Sequence, residues 1–123
     1  MNDDLKKIIS HYGVTAQLKY FQSEVYELTE AVLWHEFHPE VYGNIESIAE
    51  EIADVMVMLK QFQLYYCIKD EEIEEIMKFK IDRQLKRIAE SKEHLIMMIS
   101  AKIQEELKSQ KKEKDMICST MRF

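Results

Sequence analysis

Two pairs of carboxylates are the residues of this sequence whose type and spacing are best suited to chemistry. Glu24 and Glu27 form the first pair, and Glu51 and Asp54 form the second. Each pair is spaced i, i+3 in a segment with helical periodicity, so its two side chains share one face of a helix. If the two helices pack antiparallel, the four carboxylates converge, and a hard divalent cation relieves their repulsion. The pattern therefore predicts a Mg²⁺ site, with Mn²⁺ as the other candidate ion and a solvated acidic face as the alternative.

The elements that must position these carboxylates are two helices with apolar seams. Apolar residues recur at steps of three and four in both segments, which is typical of helices that face a core. Each carboxylate comes one residue before a seam position, so we expect both pairs to flank the core on the same side. The seam residues are Leu18, Phe21, Val25, Leu28 and Val32 in the first segment, and Ile45, Ile48, Ile52, Val55, Leu59, Phe62 and Tyr66 in the second.

The composition predicts an all-α fold. Charged residues make up 33% of the chain, glycine and proline are scarce, and nothing after Gly43 breaks a helix. Gly13 is expected to cap the end of the first helix and Thr15 the start of the second. The fourth helix either runs on as one or bends near Ser91, and its polar stretch 109–114 is expected to fray. The predicted helices cover residues 3–12, 15–37 and 44–67, and a fourth begins at Asp70.

The charge and the hydropathy of the sequence restrict the classes of partner that the chain is expected to bind. The net charge of −6 argues against a nucleic-acid binder, which would present a basic face. No apolar run approaches the ~20 residues that span a membrane. The polar, acidic start of the chain does not resemble a signal peptide, so a cytoplasmic location is expected. Cys67 and Cys118 lack a metal or redox spacing and are interpreted as reduced thiols.

A basic row and one glutamine are further candidates for binding. Lys80, Arg83 and Arg87 share one face of the fourth helix, where they could hold the phosphates of a substrate. Gln17 lies two turns before Glu24 on the same face, and its side-chain amide could read the edge of a base. The alternatives are a solvated basic face and an ordinary surface glutamine.

Together these residues resemble the MazG-like, all-α nucleoside triphosphate pyrophosphohydrolases, especially small phage-type members. The family motif is E-E-x-x-E followed, after a spacer, by E-x-x-D. In this chain it stands as Ser23-Glu24-Val-Tyr-Glu27 and Glu51-Ile-Ala-Asp54. The one departure is Ser23, which replaces the first glutamate of the motif.

The resemblance implies a domain organisation and an activity. Residues 1–90 would form a four-helix pyrophosphohydrolase bundle. Residues 91–123 fall outside the resemblance, and we expect them to form a C-terminal helical extension that serves oligomerisation. The family activity is Mg²⁺-dependent hydrolysis of nucleoside or deoxynucleoside triphosphates to the monophosphate and pyrophosphate. Members associate as homodimers or homotetramers.

The resemblance also assigns roles to residues. The metal ligands and catalytic carboxylates would be Glu24, Glu27, Glu51 and Asp54, with Glu50 as a candidate base; Lys80, Arg83 and Arg87 would hold the outer phosphates, and Gln17 would face the base or sugar. The main alternative is a MazG-like bundle without turnover, which binds nucleotides or proteins and in which Ser23 marks the lost activity. A di-iron bundle is disfavoured because no histidine has a glutamate three residues before it.

Overall fold

The computed structural model describes residues 1–40 and 44–121. Within these ranges the chain forms four α-helices and no strand, which confirms the all-α prediction. The helices are α1 (Asn2–Tyr12), α2 (Val14–Phe37), α3 (Asn44–Tyr65) and α4 (Asp70–Thr120). None of the helices in the described ranges combines the length and the hydropathy needed to cross a bilayer.

A single glycine joins α1 to α2. Gly13 has φ +86° and ψ 152°, and its N–H donates to the carbonyl of Ile9, which confirms its predicted role at the end of α1. The prediction that Thr15 caps the next helix was wrong, because α2 already begins at Val14 with Gly13 in the capping position. Glycine reaches this positive φ without steric cost, so one residue can end one helix and start the next without a spacer.

The fourth helix is continuous over 51 residues from Asp70 to Thr120. Of the two interpretations of its length, the single long helix is therefore right. The helix runs through the stretch 109–114, and the predicted fraying of this stretch stays a prediction. Lysine, glutamate and glutamine are strong helix formers, and their propensity outweighs the absence of apolar residues there.

The chain divides into two compact units, residues 1–73 and 74–123. The first unit contains α1, α2, α3 and the first residues of α4, and the second unit contains the rest of α4. The predicted boundary between residues 90 and 91 was based on the extent of the family resemblance and stays a prediction.

In the first unit, α2 packs antiparallel to α3, and α1 packs against both. The direction follows from two contacts between the helices: Gln17, near the start of α2, meets Gln61, near the end of α3, whereas Glu27, farther along α2, lies beside Glu51, earlier in α3. Phe21 also packs edge-on against Phe62, with ring centroids 5.5 Å apart. Among its described residues, the buried apolar ones are Leu5, Ile9 and Met58, and the buried polar ones are Gln17, Glu24 and Gln61. The centre of the α2–α3 interface is therefore polar.

The predicted seams were only half right. The inward face carries Phe21, Leu28, Ile48, Val55 and Phe62, all half-buried. The other seam residues that the structure describes are exposed: Leu18, Val25, Val32, Ile45, Ile52, Leu59 and Tyr66. The apolar residues of α2 and α3 cover a wider arc than one packing partner can bury. Spacing identified that arc, but only the tertiary contacts decided which side of it turned inward.

Candidate metal centre

Three of the predicted carboxylates come together where α2 crosses the middle of α3. Glu24, Glu51 and Asp54 each offer one oxygen, and these oxygens all lie within 4.8 Å of one another. Antiparallel packing brings the two helices into this register, and the i, i+3 spacing turns both α3 carboxylates toward α2. Glu24 is only 5% exposed, Glu51 is half-buried and Asp54 is exposed. Glu24 thus lies at the buried end of the cluster, and Asp54 lies at its solvent-exposed end.

The fourth predicted carboxylate, Glu27, lies outside this group of mutually close oxygens but next to Glu51. Partial burial raises the pKa of Glu51, and the negative charges of Glu27, Asp54 and Glu24 raise it further. A hydrogen bond between the carboxyl groups of Glu51 and Glu27 acts in the same direction. All four carboxylates therefore share one region of negative potential, with Glu27 at its rim.

Two oxygens of the cluster are buried without a hydrogen-bond donor. They are Oε2 of Glu24 and Oε2 of Glu51, which find no partner among the described residues. A buried carboxylate oxygen without a donor loses its hydration and gains nothing in return, which costs folding free energy. Hard oxygen donors at this separation fit Mg²⁺ or Mn²⁺, which take carboxylate and water ligands.

Tyr20 stands beside the cluster, one turn before Glu24 on α2. The Glu24 carboxylate raises the pKa of Tyr20, first as a hydrogen-bond partner and then through its charge. The sequence interpretation missed this residue, although the i, i+4 spacing of Tyr20 and Glu24 was a usable signal. Tyr20 itself is exposed.

A cavity of about 520 Å³ opens on one side of the cluster. Glu24 and Asp54 line its acidic end, and the remainder of its wall comes from all three helices of the first unit. That remainder consists of Ile8, Tyr12, Ala16, Gln17, Tyr20, Val57, Met58 and Gln61. A cleft of this size with apolar and aromatic walls and a few convergent polar groups is typical of small-molecule sites.

Two glutamines close the inner wall of this cavity. Gln17 Nε2 donates to Gln61 Oε1 over 2.7 Å, and Gln61 Nε2 contacts Met58 Sδ at 3.6 Å. Gln61 is only 1% exposed, and Gln17 is also buried, so the alternative of an ordinary surface glutamine was wrong for Gln17. The sequence interpretation missed Gln61, which lies two turns after Asp54 on the same face of α3.

A second, shallower cavity of about 660 Å³ lies on the Glu27 and Glu51 side of the cluster. Trp34 lines it and stacks on the His38 ring with centroids 4.4 Å apart. His35 is half-buried, and its Nδ1 has no hydrogen-bond partner among the residues that the structure describes. Glu24 and Asp54 therefore line the first cavity, whereas Glu27 and Glu51 line the second.

The remaining candidate residues lie on exposed helix surface. Glu50 is exposed on α3, next in sequence to Glu51, and Ser23 is exposed on α2. Lys80, Arg83 and Arg87 are exposed on α4 in the second unit, where the Arg83 guanidinium lies 6.0 Å from the centroid of the Phe79 ring. Their roles in binding phosphates, and that of Glu50 as a base, stay predictions.

Comparison of the chain with protein-family models, with curated proteins and with solved structures gives no match. The resemblance to MazG-like pyrophosphohydrolases thus depends on the motif residues themselves.

Proposed function

We propose that this chain is a Mg²⁺-dependent nucleoside triphosphate pyrophosphohydrolase, which converts a (deoxy)nucleoside triphosphate to the monophosphate and pyrophosphate. The observation that carries the proposal is the convergence of Glu24, Glu51 and Asp54, whose oxygens lie within 4.8 Å of one another. Two oxygens of this cluster, Oε2 of Glu24 and Oε2 of Glu51, find no donor in the part of the chain that the structure describes, which supports an ion as their partner. The E-x-x-E and E-x-x-D spacing supports the interpretation of the same residues as the MazG-like metal-binding motif.

In this proposal the ion, Mg²⁺ or Mn²⁺ in its place, is held by Glu24, Glu51 and Asp54. Glu27 contributes its carboxylate to the ion site from the edge of the cluster. When bound there, the ion would supply positive charge to the phosphates and would lower the pKa of a water molecule. Water attacks the α-phosphorus, the bond from that phosphorus to the bridging oxygen breaks, and pyrophosphate leaves with the electron pair. A carboxylate takes the water's proton, with Glu50 as the candidate from the sequence.

The cavity beside the cluster suits the nucleoside. Its acidic end is Glu24 and Asp54, so a ligand with its phosphates at the cluster would have its base among the aromatic and amide side chains. Tyr12 and Tyr20 offer ring faces for stacking, and Gln17 offers an amide that both donates and accepts. That Lys80, Arg83 and Arg87 hold the outer phosphates stays a prediction from the sequence.

The second candidate function is a nucleotide-binding module without turnover. The observation in its favour is Ser23, which stands where the family motif has a glutamate. Under either function the site residues are the same, because binding needs the ion and the cavity, whereas turnover also needs the activated water. A homodimer or homotetramer in the cytoplasm is the proposed working form.

Release of pyrophosphate from a panel of nucleoside and deoxynucleoside triphosphates, with and without Mg²⁺, tests the proposal. Glu51→Gln and Asp54→Asn should each lower the rate at least ~100-fold, as expected when one ligand of a catalytic ion is lost. Glu46→Gln, an exposed substitution in the first turn of the same helix, should leave the rate unchanged. If the folded parent protein is stabilised by Mg²⁺ and nucleotide but releases no pyrophosphate, the chain is instead a nucleotide-binding module without turnover.

A further inference from the structure

Helix α4 carries a long apolar stripe that nothing in its own unit covers. Every residue from 74 to 121 is exposed, including Leu85, Ile88, Ile99 and Ile103, each more than half exposed. A helix of 51 residues is about 76 Å long, and most helical stability in proteins comes from packing an apolar face. An apolar face of this length needs a partner surface of similar length.

The spacing of the stripe is the same read in either direction. From one end to the other its residues follow steps of 4, 4, 3, 4, 4, 3, 4 and 4, with Lys92 at the centre. At ~100° per residue all of them stay within about 60° of one line along the helix. The stripe consists of Met77, Ile81, Leu85, Ile88, Lys92, Ile96, Ile99, Ile103 and Leu107.

This symmetry lets the stripe pack on a second copy of itself running in the opposite direction. With the two-fold axis at Lys92, Ile81 faces Ile103 of the other copy, and Leu85 faces Ile99. The repeat of 11 residues keeps the contact line nearly straight along the helix, so the pairing can extend over the whole stripe. Lys92 is the only charged residue in the stripe, and a single polar residue in such a seam fixes the register at some cost in stability.

The charges along α4 select the antiparallel direction. Residues 70–75 carry five acidic and no basic side chains, and in this register they face residues 109–114, with three basic and one acidic. Residues 78–87, with five basic and one acidic, face residues 97–106, with one basic and two acidic. A parallel pair in register would instead place each of these charged segments against its own copy, where like charges repel.

We propose that α4 is a self-association element, which pairs with α4 of a second copy of this chain as an antiparallel two-fold dimer centred on Lys92. The pairing does not depend on the proposed catalytic function. Arg83 lies about 180° around the helix from the contact line, so the row Lys80, Arg83 and Arg87 stays accessible in the pair.

Cysteine cross-linking of the full chain tests both the contact and its direction. In a background with Cys67→Ser and Cys118→Ser, one preparation carries Ile81→Cys and a second, of different tagged length, carries Ile103→Cys. Mild oxidation should link the two proteins when they are mixed and should link neither with itself. Cross-linking of each variant with itself would show parallel pairing and overturn the proposal, as would the absence of any link between folded proteins.

A pair of charge substitutions tests the face. Ile99→Glu in both cross-linking partners should lower the yield of the mixed link at least ~10-fold, because two charges would enter the apolar seam. Ala101→Glu introduces the same charge two residues on, about 200° around the helix, and should leave the yield unchanged. Circular dichroism at the same concentrations checks that both variants keep their helix content. Equal yields for the two variants would show that this stripe is not the contact.

Discussion

The side-chain amides of Gln17 and Gln61 meet across the α2–α3 interface, with Gln17 Nε2 donating to Gln61 Oε1 over 2.7 Å. The pair occupies positions that a helical bundle normally fills with apolar residues, and it does so at the inner wall of the cavity beside the carboxylates. A buried polar pair is tolerated when its members satisfy one another, and it then favours one packing arrangement over others.

Breaking this pair from one side should destabilise the first unit. Gln61→Ala leaves the Gln17 amide buried without its partner, and we expect a loss of about 1–3 kcal/mol in the free energy of unfolding. Chemical denaturation of the parent and the variant measures this difference. The exposed Gln22→Ala on α2 serves as control and should change the free energy of unfolding by less than ~0.5 kcal/mol.

Replacing both glutamines by leucine should separate stability from recognition. Because no amide is then left unpaired, the double variant is expected to be about as stable as the parent. Nucleotide binding should nevertheless weaken if Gln17 contacts the base, since the amide that reads its edge is gone. A stable double variant with unchanged nucleotide affinity would restrict the glutamine pair to a structural role.

The carboxylate cluster predicts that Mg²⁺ stabilises the folded protein. An ion that binds only the native state at 100 times its dissociation constant adds about 2.7 kcal/mol to the free energy of unfolding. Thermal melting with increasing Mg²⁺ should therefore show a rising midpoint. In Glu24→Gln this rise should be absent, because the variant lacks the most buried carboxylate of the cluster.

Without Mg²⁺, loss of one carboxylate from the same cluster should stabilise the folded protein. Removing one of several crowded negative charges relieves repulsion, so Glu51→Gln should melt at a higher temperature than the parent in the presence of a chelator. With Mg²⁺ the order of the two proteins should reverse. If Glu51→Gln and the parent respond equally to Mg²⁺, the cluster is a solvated acidic face and not a metal centre.

Any substitution of Gly13 should lower the free energy of unfolding through backbone strain alone. A Cβ added to Gly13 would meet no atom within 4 Å, but its φ of +86° is strained for any other residue. Gly13→Ala should therefore lower the free energy of unfolding by about 1–3 kcal/mol. Ser10→Ala, at an exposed position in α1, is the matched control and should be near neutral or slightly stabilising.

The all-α class, the start of α4 and the glycine that ends α1 follow from local properties of the sequence. Helix propensity and the scarcity of glycine and proline act within a few residues, so they can be read without knowing the fold. The pairing of Glu51 with Asp54 on one face is equally local, because it requires only helical geometry.

Local properties of the sequence did not determine which side of each helix faces the core. Val25 and Glu24 are neighbours in sequence, and periodicity assigned Val25 to the core, yet Glu24 is the buried one. Gln61 could not be predicted for the same reason, since its role arises from its contact with α2. Tyr20 is a different case, because its i, i+4 spacing to Glu24 is local and was a usable signal.

The sequence by itself thus determined the helices, their approximate ends and the spacing of the carboxylates, because these depend on interactions within a few residues along the chain. Only the tertiary structure decided that Glu24 lies inside, that Glu27 lies at the rim and that a glutamine pair fills the interface. These outcomes depend on the register and rotation of α2 against α3, which the summed contacts of two faces fix together.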